Sequence, residues 1–273
     1  MFALVLTVDL LDVEVASDEL WSLGVVAVEE RAGVAPCSVE LWTSLGDDIA
    51  SVSAALEGLA HPWSWRFETV DERVSETWRD HATVTWIADD VLVRPAWLDL
   101  PESDIEGVIS ISIDPGATFG MGDHPTTVLS LRALRAAMTP GISVLDVGCG
   151  SGILAVAACL FGADRADAID ISPAAVPATL DNAERNGVQQ RIAVSTTPLT
   201  EMHGQYQVVV ANILAPALID LADDLTRVLS PSGSLVISGI LAERHQHVLD
   251  ALAPLRIVSR ADLDGWTAIT LRR

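Results

Sequence analysis

The chain has 273 residues and a formal net charge of −22, and all 16 of its basic residues are Arg. It is long enough to bury one large core or two modest ones. Its acidity argues against a nucleic-acid partner, which needs a basic face, and no apolar run reaches the ~18 residues of a membrane span.

The start of the chain and its cysteines predict a cytoplasmic protein. Met1–Val5 lacks the basic opening of a signal peptide. Cys37, Cys149 and Cys159 are odd in number and show no CxxC spacing. They are therefore interpreted as reduced thiols, and we expect no metal site.

Residues 1–69 predict a small α+β domain. The pattern indicates, in order, a strand, a helix, two strands, a helix and a strand: Phe2–Leu10, Ser17–Leu23, Val25–Glu30, Ser38–Thr43, Asp47–Leu59 and Trp65–Val70. This order is that of a ferredoxin-like fold. Residues 1–110 also carry 17 of the 22 net negative charges. That excess favours either a basic protein partner or simple solubility.

Residues 70–110 predict a connector with short strands at Thr83–Ile87 and Val91–Val93. From Ile111 onward strands alternate with helices, which predicts a doubly wound α/β domain over 111–273 with a parallel sheet covered on both faces. The strands are Ser143–Val147, Ala166–Asp170, Ile192–Ser195, Gln207–Ala211 and Leu235–Ser238; the helices are Ile153–Leu160, Pro173–Asn186, Pro216–Leu229 and Ala242–Ala253. A final strand, Trp266–Arg273, is expected to run antiparallel in a seven-stranded sheet.

The most informative motif is the glycine-rich turn in Val144–Gly152. It follows a strand and opens a helix, so backbone N–H groups can approach a ligand there. Asp170 ends the next strand, where a carboxylate can bond a ribose. A dinucleotide fingerprint requires Gly or Ala where this chain has Ile153. Gly148, Gly150 and Gly152 alternate behind the acidic Asp146, which favours S-adenosylmethionine over NAD.

Two further segments carry candidate site residues. Asn212 follows a buried strand, and its amide oxygen either orients an amine or caps the turn. The segment Asp114–Thr127 is rich in glycine and leads into a predicted helix, Val128–Ala137. It offers Phe119 as a flat apolar face and Thr126 and Thr127 as hydroxyl groups, with helix capping as the structural alternative.

Several motifs together resemble one family, the methyltransferase of the large-subunit ribosomal protein L-eleven (L11). They occur in this order: Phe119–Thr127, Leu145–Ala155, Asp170–Pro173, Asn182–Gly187, Val209–Leu214 and Leu235–Leu241. The likeness continues weakly upstream through Thr77–Arg79 and Arg94–Trp97. The chain departs from the family at Met121 and Asp123, which replace Thr and a small or polar residue.

The resemblance implies a class I methyltransferase fold and transfer of methyl groups to lysine ε-amines, and to an N-terminal α-amine, of that basic ribosomal protein, free or on the ribosome. It implies that Thr127, Gly148, Asp170 and Asn212 contact S-adenosylmethionine, with Phe119 nearby. It also implies that the small N-terminal domain recognises the substrate.

Three alternatives remain at this stage. The first is an enzyme that keeps the cofactor but methylates another protein or a small-molecule amine, although Asn212-Ile-Leu214 lacks the Pro-Pro-aromatic signature of enzymes that act on planar amides. A nicotinamide-dependent oxidoreductase is disfavoured by Ile153. A non-catalytic binding module is the third.

Overall fold

The protein is described by a computed structural model that covers residues 2–10, 12–23, 25, 28–43, 49–59, 61, 63–69, 83–100, 106–114, 118 and 122–273. The chain divides into two compact units, Met1–Ala82 and Thr83–Arg273. The division falls inside the segment 70–110 that the sequence assigns to a connector. None of the described helices is long and apolar enough to cross a bilayer.

The first unit is a four-stranded antiparallel sheet with two helices. Its elements are β1 (Phe2–Asp9), α1 (Val13–Ser22), β2 (Glu29–Ala32), β3 (Ser38–Thr43), α2 (Ile49–Glu57) and β4 (Ser64–Thr69). The strand order is β2-β3-β1-β4, with every neighbouring pair antiparallel. Alternate residues of β1 and β3, such as Leu4, Leu6 and Leu41, enter one buried cluster with residues of both helices.

Two elements of this unit have different bounds in the structure from those predicted. The first helix begins at Val13 rather than Ser17. The second strand is the polar Glu29–Ala32 rather than Val25–Glu30. The apolar Val25 is buried in the core before the strand begins. The polar residues pair with β3 as an exposed edge strand, where no apolar alternation is required.

The second unit begins with a small sheet of β5 (Thr85–Ala88), β6 (Val91–Pro95) and β7 (Ile109–Ile113). β5 and β6 form a hairpin close to the positions predicted, and β7 joins β6 in parallel. Buried residues of this sheet, Val93, Ile111 and Ile113 among them, belong to the same core cluster as the large sheet that follows.

The large sheet has seven strands in the order β10-β9-β8-β11-β12-β14-β13. The strands are β8 (Ser143–Val147), β9 (Arg165–Ile169), β10 (Ile192–Ser195), β11 (Tyr206–Asn212), β12 (Leu229–Leu241), β13 (Arg256–Leu263) and β14 (Trp266–Arg272); the helices are α3 (Pro125–Ala137), α4 (Ile153–Leu160), α5 (Ala175–Arg185), α6 (Ala215–Asp220), α7 (Ala222–Val228) and α8 (Gln246–Ala251). The last strand, β14, runs antiparallel to both of its neighbours, as the sequence predicts. This mixed α/β sheet agrees with the class I methyltransferase fold that the family resemblance implies.

Several elements of this unit differ from prediction. β12 is Leu229–Leu241 rather than Leu235–Ser238, α3 begins at Pro125 rather than Val128, and α8 is Gln246–Ala251 rather than Ala242–Ala253. α5 begins at Ala175 rather than Pro173, because the Ser172 N–H bonds Asp170 and the Ser172 carbonyl closes a turn onto Ala175. The helix predicted over Pro216–Leu229 is two short helices that meet at Leu221. β13 was not predicted, since its residues are almost all exposed and polar and apolar ones do not alternate.

Candidate functional site

The carboxyl ends of four parallel strands meet at one edge of the seven-stranded sheet. Val147 at the end of β8 is paired in register with Ile169 of β9 and with Ala211 of β11. One residue further on, Asn212 is paired with Ser238 of β12. The residues that follow these strand ends, including Gly148 and Asp170, therefore lie at one level. In open α/β sheets this edge is where ligands bind.

The glycine turn between β8 and α4 adopts a backbone that requires glycine. Gly148, Gly150 and Gly152 have φ angles of 73°, 51° and 77°, in the left-handed region that side chains disfavour. The N–H groups of Gly148 and Cys149 donate to the Ile169 carbonyl at 2.8 and 3.1 Å. The turn is thus attached to the end of the neighbouring strand.

Asp170 holds the turn from the β9 side. Its Oδ2 accepts the Gly150 N–H at 2.9 Å, and its Oδ1 accepts the Ser172 N–H at 2.8 Å. Each carboxylate oxygen has a further lone pair, and the side chain is only partly buried. The next residue, Ile171, is 95% exposed. The Asp170 carboxylate, which can accept further hydrogen bonds, therefore lies next to the exposed side chain of Ile171. The sequence analysis did not identify Ile171 as a site residue.

Asp146 lies beneath the turn and is fully buried. Its Oδ2 accepts the N–H of Ala155 in the first turn of α4 at 3.0 Å, while its Oδ1 has no partner among the described residues. Burial, together with the nearby charge of Asp170, raises the pKa of Asp146 to about 7. An orphaned buried carboxylate oxygen is costly, so a polar ligand atom that reaches it is favoured.

Ile213 occupies a slot between two glycines, and this slot positions Asn212. A Cβ at Gly148 would lie 2.3 Å from Ile213 Cγ2, and a Cβ at Gly239 would lie 2.3 Å from the Ile213 carbonyl oxygen. Both glycines have positive φ angles. Because Ile213 is enclosed on both sides, the preceding residue, Asn212, is held at the sheet edge with a partly buried side chain.

The start of α3 reaches the same edge. His124 caps this helix, its Nδ1 accepting the Thr126 N–H at 3.3 Å, and burial lowers the pKa of its ring. Ser238 Oγ donates to the Thr126 carbonyl at 3.3 Å. The Thr127 Oγ1 atom is buried and has no partner among the described residues.

Six of the predicted site residues are thereby located at or beside one edge: Asp146, Gly148, Gly150, Asp170, Asn212 and Thr126. Thr127 follows Thr126 within α3. Phe119 and its neighbours 120 and 121 lie outside the described residues, as do Thr77–Arg79. His124, rather than Thr126 or Thr127, is the cap of α3.

The chain matches a family model described as ribosomal protein L11 methyltransferase over residues 38–273. A curated protein named ribosomal protein L11 methyltransferase from Citrifermentans bemidjiense is 40% identical over 209 residues, covering 74% of this chain and 68% of that protein. One of the same name from Pseudomonas paraeruginosa is 41% identical over 207 residues, covering 76% and 69%.

Solved structures agree with these matches. The structure of a ribosomal protein L11 methylase from Lactobacillus delbrueckii subsp. bulgaricus has a TM-score of 0.65 and 34% sequence identity. The superposition covers 70% of this chain and 98% of the methylase chain. A putative methyltransferase complexed with SAH has a TM-score of 0.50 at 12% identity, with 57% and 51% covered. The latter likeness concerns the fold alone.

Proposed function

The chain belongs to the ribosomal protein L11 methyltransferase family, and we propose that it methylates lysine ε-amines, and the N-terminal α-amine, of ribosomal protein L11. It is an S-adenosylmethionine-dependent protein methyltransferase. The observation that carries the assignment of the site is the meeting of the glycine turn, Asp170 and Asn212 at one sheet edge. A nicotinamide oxidoreductase is set aside, because Ile153 stands where that fingerprint needs a glycine or alanine.

The chemistry of the edge fits S-adenosylmethionine. Thr127 Oγ1 and Asp146 Oδ1 are buried polar atoms without partners among the described residues, and a ligand with donor groups would satisfy them. Gly148 and Gly150 have no side chains, so a ligand can approach the backbone of the turn closely. We assign these four residues to cofactor binding, together with Thr126 and, on the family resemblance, Phe119.

We assign the adenosine end of the cofactor to Asp170 and its neighbour. The carboxylate has lone pairs left for the two ribose hydroxyls after it has accepted from Gly150 and Ser172. Each hydrogen bond to a charged acceptor contributes roughly 1.5–3 kcal/mol. The exposed Ile171 offers an apolar surface on which a purine ring can pack.

We assign the catalytic role to Asn212. The sulfonium group of bound S-adenosylmethionine supplies a methyl group that is already activated, so the protein contributes mainly in-line positioning. A lysine with a pKa near 10.4 must lose a proton, at a cost of about 4.6 kcal/mol at pH 7. Asn212 Oδ1 would accept an N–H of the neutral amine and orient its lone pair for attack, while desolvation would favour the neutral form, whose proton passes to solvent.

We propose that the first unit is a ferredoxin-like domain that docks the substrate. Its strand order, β2-β3-β1-β4, with a helix between β1 and β2 and another between β3 and β4, supports this assignment. Residues 1–82 hold 16 Asp or Glu against 4 Arg, which is 12 of the 22 net negative charges, and this excess favours a basic protein and disfavours direct contact with nucleic acid. Such a substrate places the enzyme in the cytoplasm, acting on L11 that is free or on the ribosome.

The test is methyl transfer from labelled S-adenosylmethionine to purified L11, read by intact mass and by peptide mapping. A matched control is L11 with its amines blocked by succinylation, which should receive no label. Intact ribosomes form a second arm. If the enzyme binds S-adenosylmethionine in a calorimeter yet labels neither form of L11, the substrate assignment is wrong. If it binds NAD instead, the cofactor assignment is wrong.

A further inference from the structure

Two asparagines, Asn182 of α5 and Asn186 at its C-terminal cap, bond the backbone edge of β7 and its continuation. Asn186 Oδ1 accepts the Ser112 N–H at 2.9 Å, and its Nδ2 donates to the Ser112 carbonyl at 2.7 Å. Asn182 makes the same pair of hydrogen bonds with Asp114: its Oδ1 accepts the Asp114 N–H at 2.9 Å, and its Nδ2 donates to the Asp114 carbonyl at 2.8 Å. Each side-chain amide thus replaces the backbone of a neighbouring strand.

The spacing of these bonds follows from helix and strand geometry. Residues four apart on a helix rise about 6 Å along its axis, and alternate residues of a strand are about 6.6 Å apart. Ser112 and Asp114, two apart, direct their N–H and C=O groups to the same edge. Two asparagines one helical turn apart therefore satisfy four backbone groups on this edge.

Asn182 differs from Asn186 in one contact, which reaches the glycine turn. Its Nδ2 also donates to the Ser151 carbonyl at 2.9 Å, and the residue is fully buried. One turn earlier on α5, Thr179 Oγ1 donates to the Gly150 carbonyl at 3.3 Å. The second donation of Asn186 goes to the Asn182 carbonyl instead, within the helix. Of the two asparagines, Asn182 is therefore the one that joins Asp114, directly after β7, to the turn.

These contacts bear on the directions of the N–H groups in the turn. A peptide unit is planar, so fixing a carbonyl also fixes the N–H of the following residue. Gly150 and Gly152 allow the backbone of the turn many conformations, and the Gly152 N–H is bonded within the turn to the Cys149 carbonyl at 2.7 Å. The bond from Thr179 to the Gly150 carbonyl fixes the direction of the Ser151 N–H, and the bond from Asn182 to the Ser151 carbonyl holds the same peptide whose N–H, on Gly152, donates to the Cys149 carbonyl.

We propose that Asn182 is a positioning residue for the cofactor: it fixes the glycine turn by tying the Ser151 carbonyl to Asp114 at the end of β7. The inference rests on the proposed function, since it presumes that the turn binds S-adenosylmethionine. It is separate from the stabilising role of the asparagine pair, which Asn186 shares.

The test compares Asn182→Asp with Asn186→Asp. Each substitution removes two N–H donations and sets an oxygen against two carbonyl oxygens, so the pair is chemically matched. Measured by calorimetry well below both melting temperatures, the dissociation constant of S-adenosylmethionine should rise about tenfold or more in Asn182→Asp, one factor of ten being 1.4 kcal/mol. In Asn186→Asp it should stay within about twofold of the parent.

A pH profile separates positioning from general loosening of the fold. The new carboxyl at position 182 is buried against the Asp114 and Ser151 carbonyls, so it takes up a proton as the pH falls and regains one donation. Cofactor affinity of Asn182→Asp should therefore recover partly between pH 8 and pH 6. The affinity of Asn186→Asp should show no such recovery.

Equal loss of affinity in the two variants, or no loss in Asn182→Asp, overturns the proposal. If Asn182→Asp does not fold, amide exchange in the parent protein decides: saturating S-adenosylhomocysteine should slow exchange of the Asp114 N–H more than that of the Ser112 N–H. Equal protection of the two amides overturns the proposal. Failure of the parent protein to bind S-adenosylmethionine instead contradicts the proposed function.

Discussion

Gly148→Ala tests the slot that holds Ile213 and, through it, Asn212. The substitution has two effects that can be separated. Alanine at φ 73° is strained, which costs about 1–2 kcal/mol. Its Cβ would also lie 2.3 Å from Ile213 Cγ2, whereas carbon atoms in contact are about 3.5–4.0 Å apart. Ile213 must therefore give way by more than about 1 Å.

Gly187→Ala is the matched control for backbone strain. Gly187 has a φ of 67° at the end of α5, and a Cβ there would meet nothing within 4 Å. In urea unfolding, backbone strain should lower the free energy of unfolding of both variants by about 1–2 kcal/mol. The total loss should be larger in Gly148→Ala, because its Cβ also meets Ile213. Gly239 blocks retreat of the Ile213 backbone, so the displacement reaches Asn212.

The assay is single-turnover methyl transfer at saturating cofactor and substrate. A displacement of 1 Å in a catalytic group can lower a rate about 100-fold. We expect a loss of that order in Gly148→Ala and no loss in Gly187→Ala. Adding Ile213→Ala to Gly148→Ala removes Cγ2 and should restore much of the rate. Parental turnover in Gly148→Ala would show that Ile213 rotates aside, and the positioning argument would fail.

Four other predictions concern the site and the charge of the chain. Asp170→Ala should weaken S-adenosylmethionine binding by about 100-fold or more in calorimetry, since it removes two bonds to a charged acceptor; unchanged affinity would exclude the ribose assignment. Asn212→Ala should slow single-turnover transfer about tenfold or more at saturating cofactor, and a parental rate would make Asn212 a structural cap. Raising salt from 0.05 M to about 0.5 M should weaken methylation of L11 while cofactor affinity barely changes, because screening shortens the reach of the acidic charge; equal sensitivity of both would refute the docking role of that charge. The pKa of Asp146 is raised from 3.8 to about 7 by burial, so its contribution to stability is fully present below pH 3.8 and falls by about 1.4 kcal/mol per pH unit up to pH 7. The free energy of unfolding of Asp146→Asn should not show this decline with pH. If urea titrations give the same change in unfolding free energy between pH 5 and pH 7 for variant and parent, the prediction is wrong.

The elements that the sequence predicted best are those whose signals are local and strong. β8, β10 and α4 begin and end at the predicted residues; for β8 and α4 the reason is a buried apolar run followed by a left-handed glycine turn, which leaves few alternatives. The same turn led to Asp170. β13 escaped prediction because an exposed edge strand needs no apolar alternation and is defined by its pairing with β14.

The site was harder to predict wherever its residues act through distant partners. The motif Asn182–Gly187 resembles the family, but sequence spacing does not reveal that Asn182 bonds Asp114 and Ser151, 68 and 31 residues away. Gly239 likewise reads as an ordinary strand glycine. Its role appears only when the Ile213 backbone is found against it.

The asparagine pair on α5 also has a consequence for how the protein behaves at high concentration. An uncovered strand edge presents N–H and C=O groups that can recruit a strand from another molecule, which is a common start of aggregation. Asn182 and Asn186 occupy those groups on Ser112 and Asp114. The helix thus shields this edge of the small sheet against self-association, and loss of both amides would leave it available for intermolecular pairing.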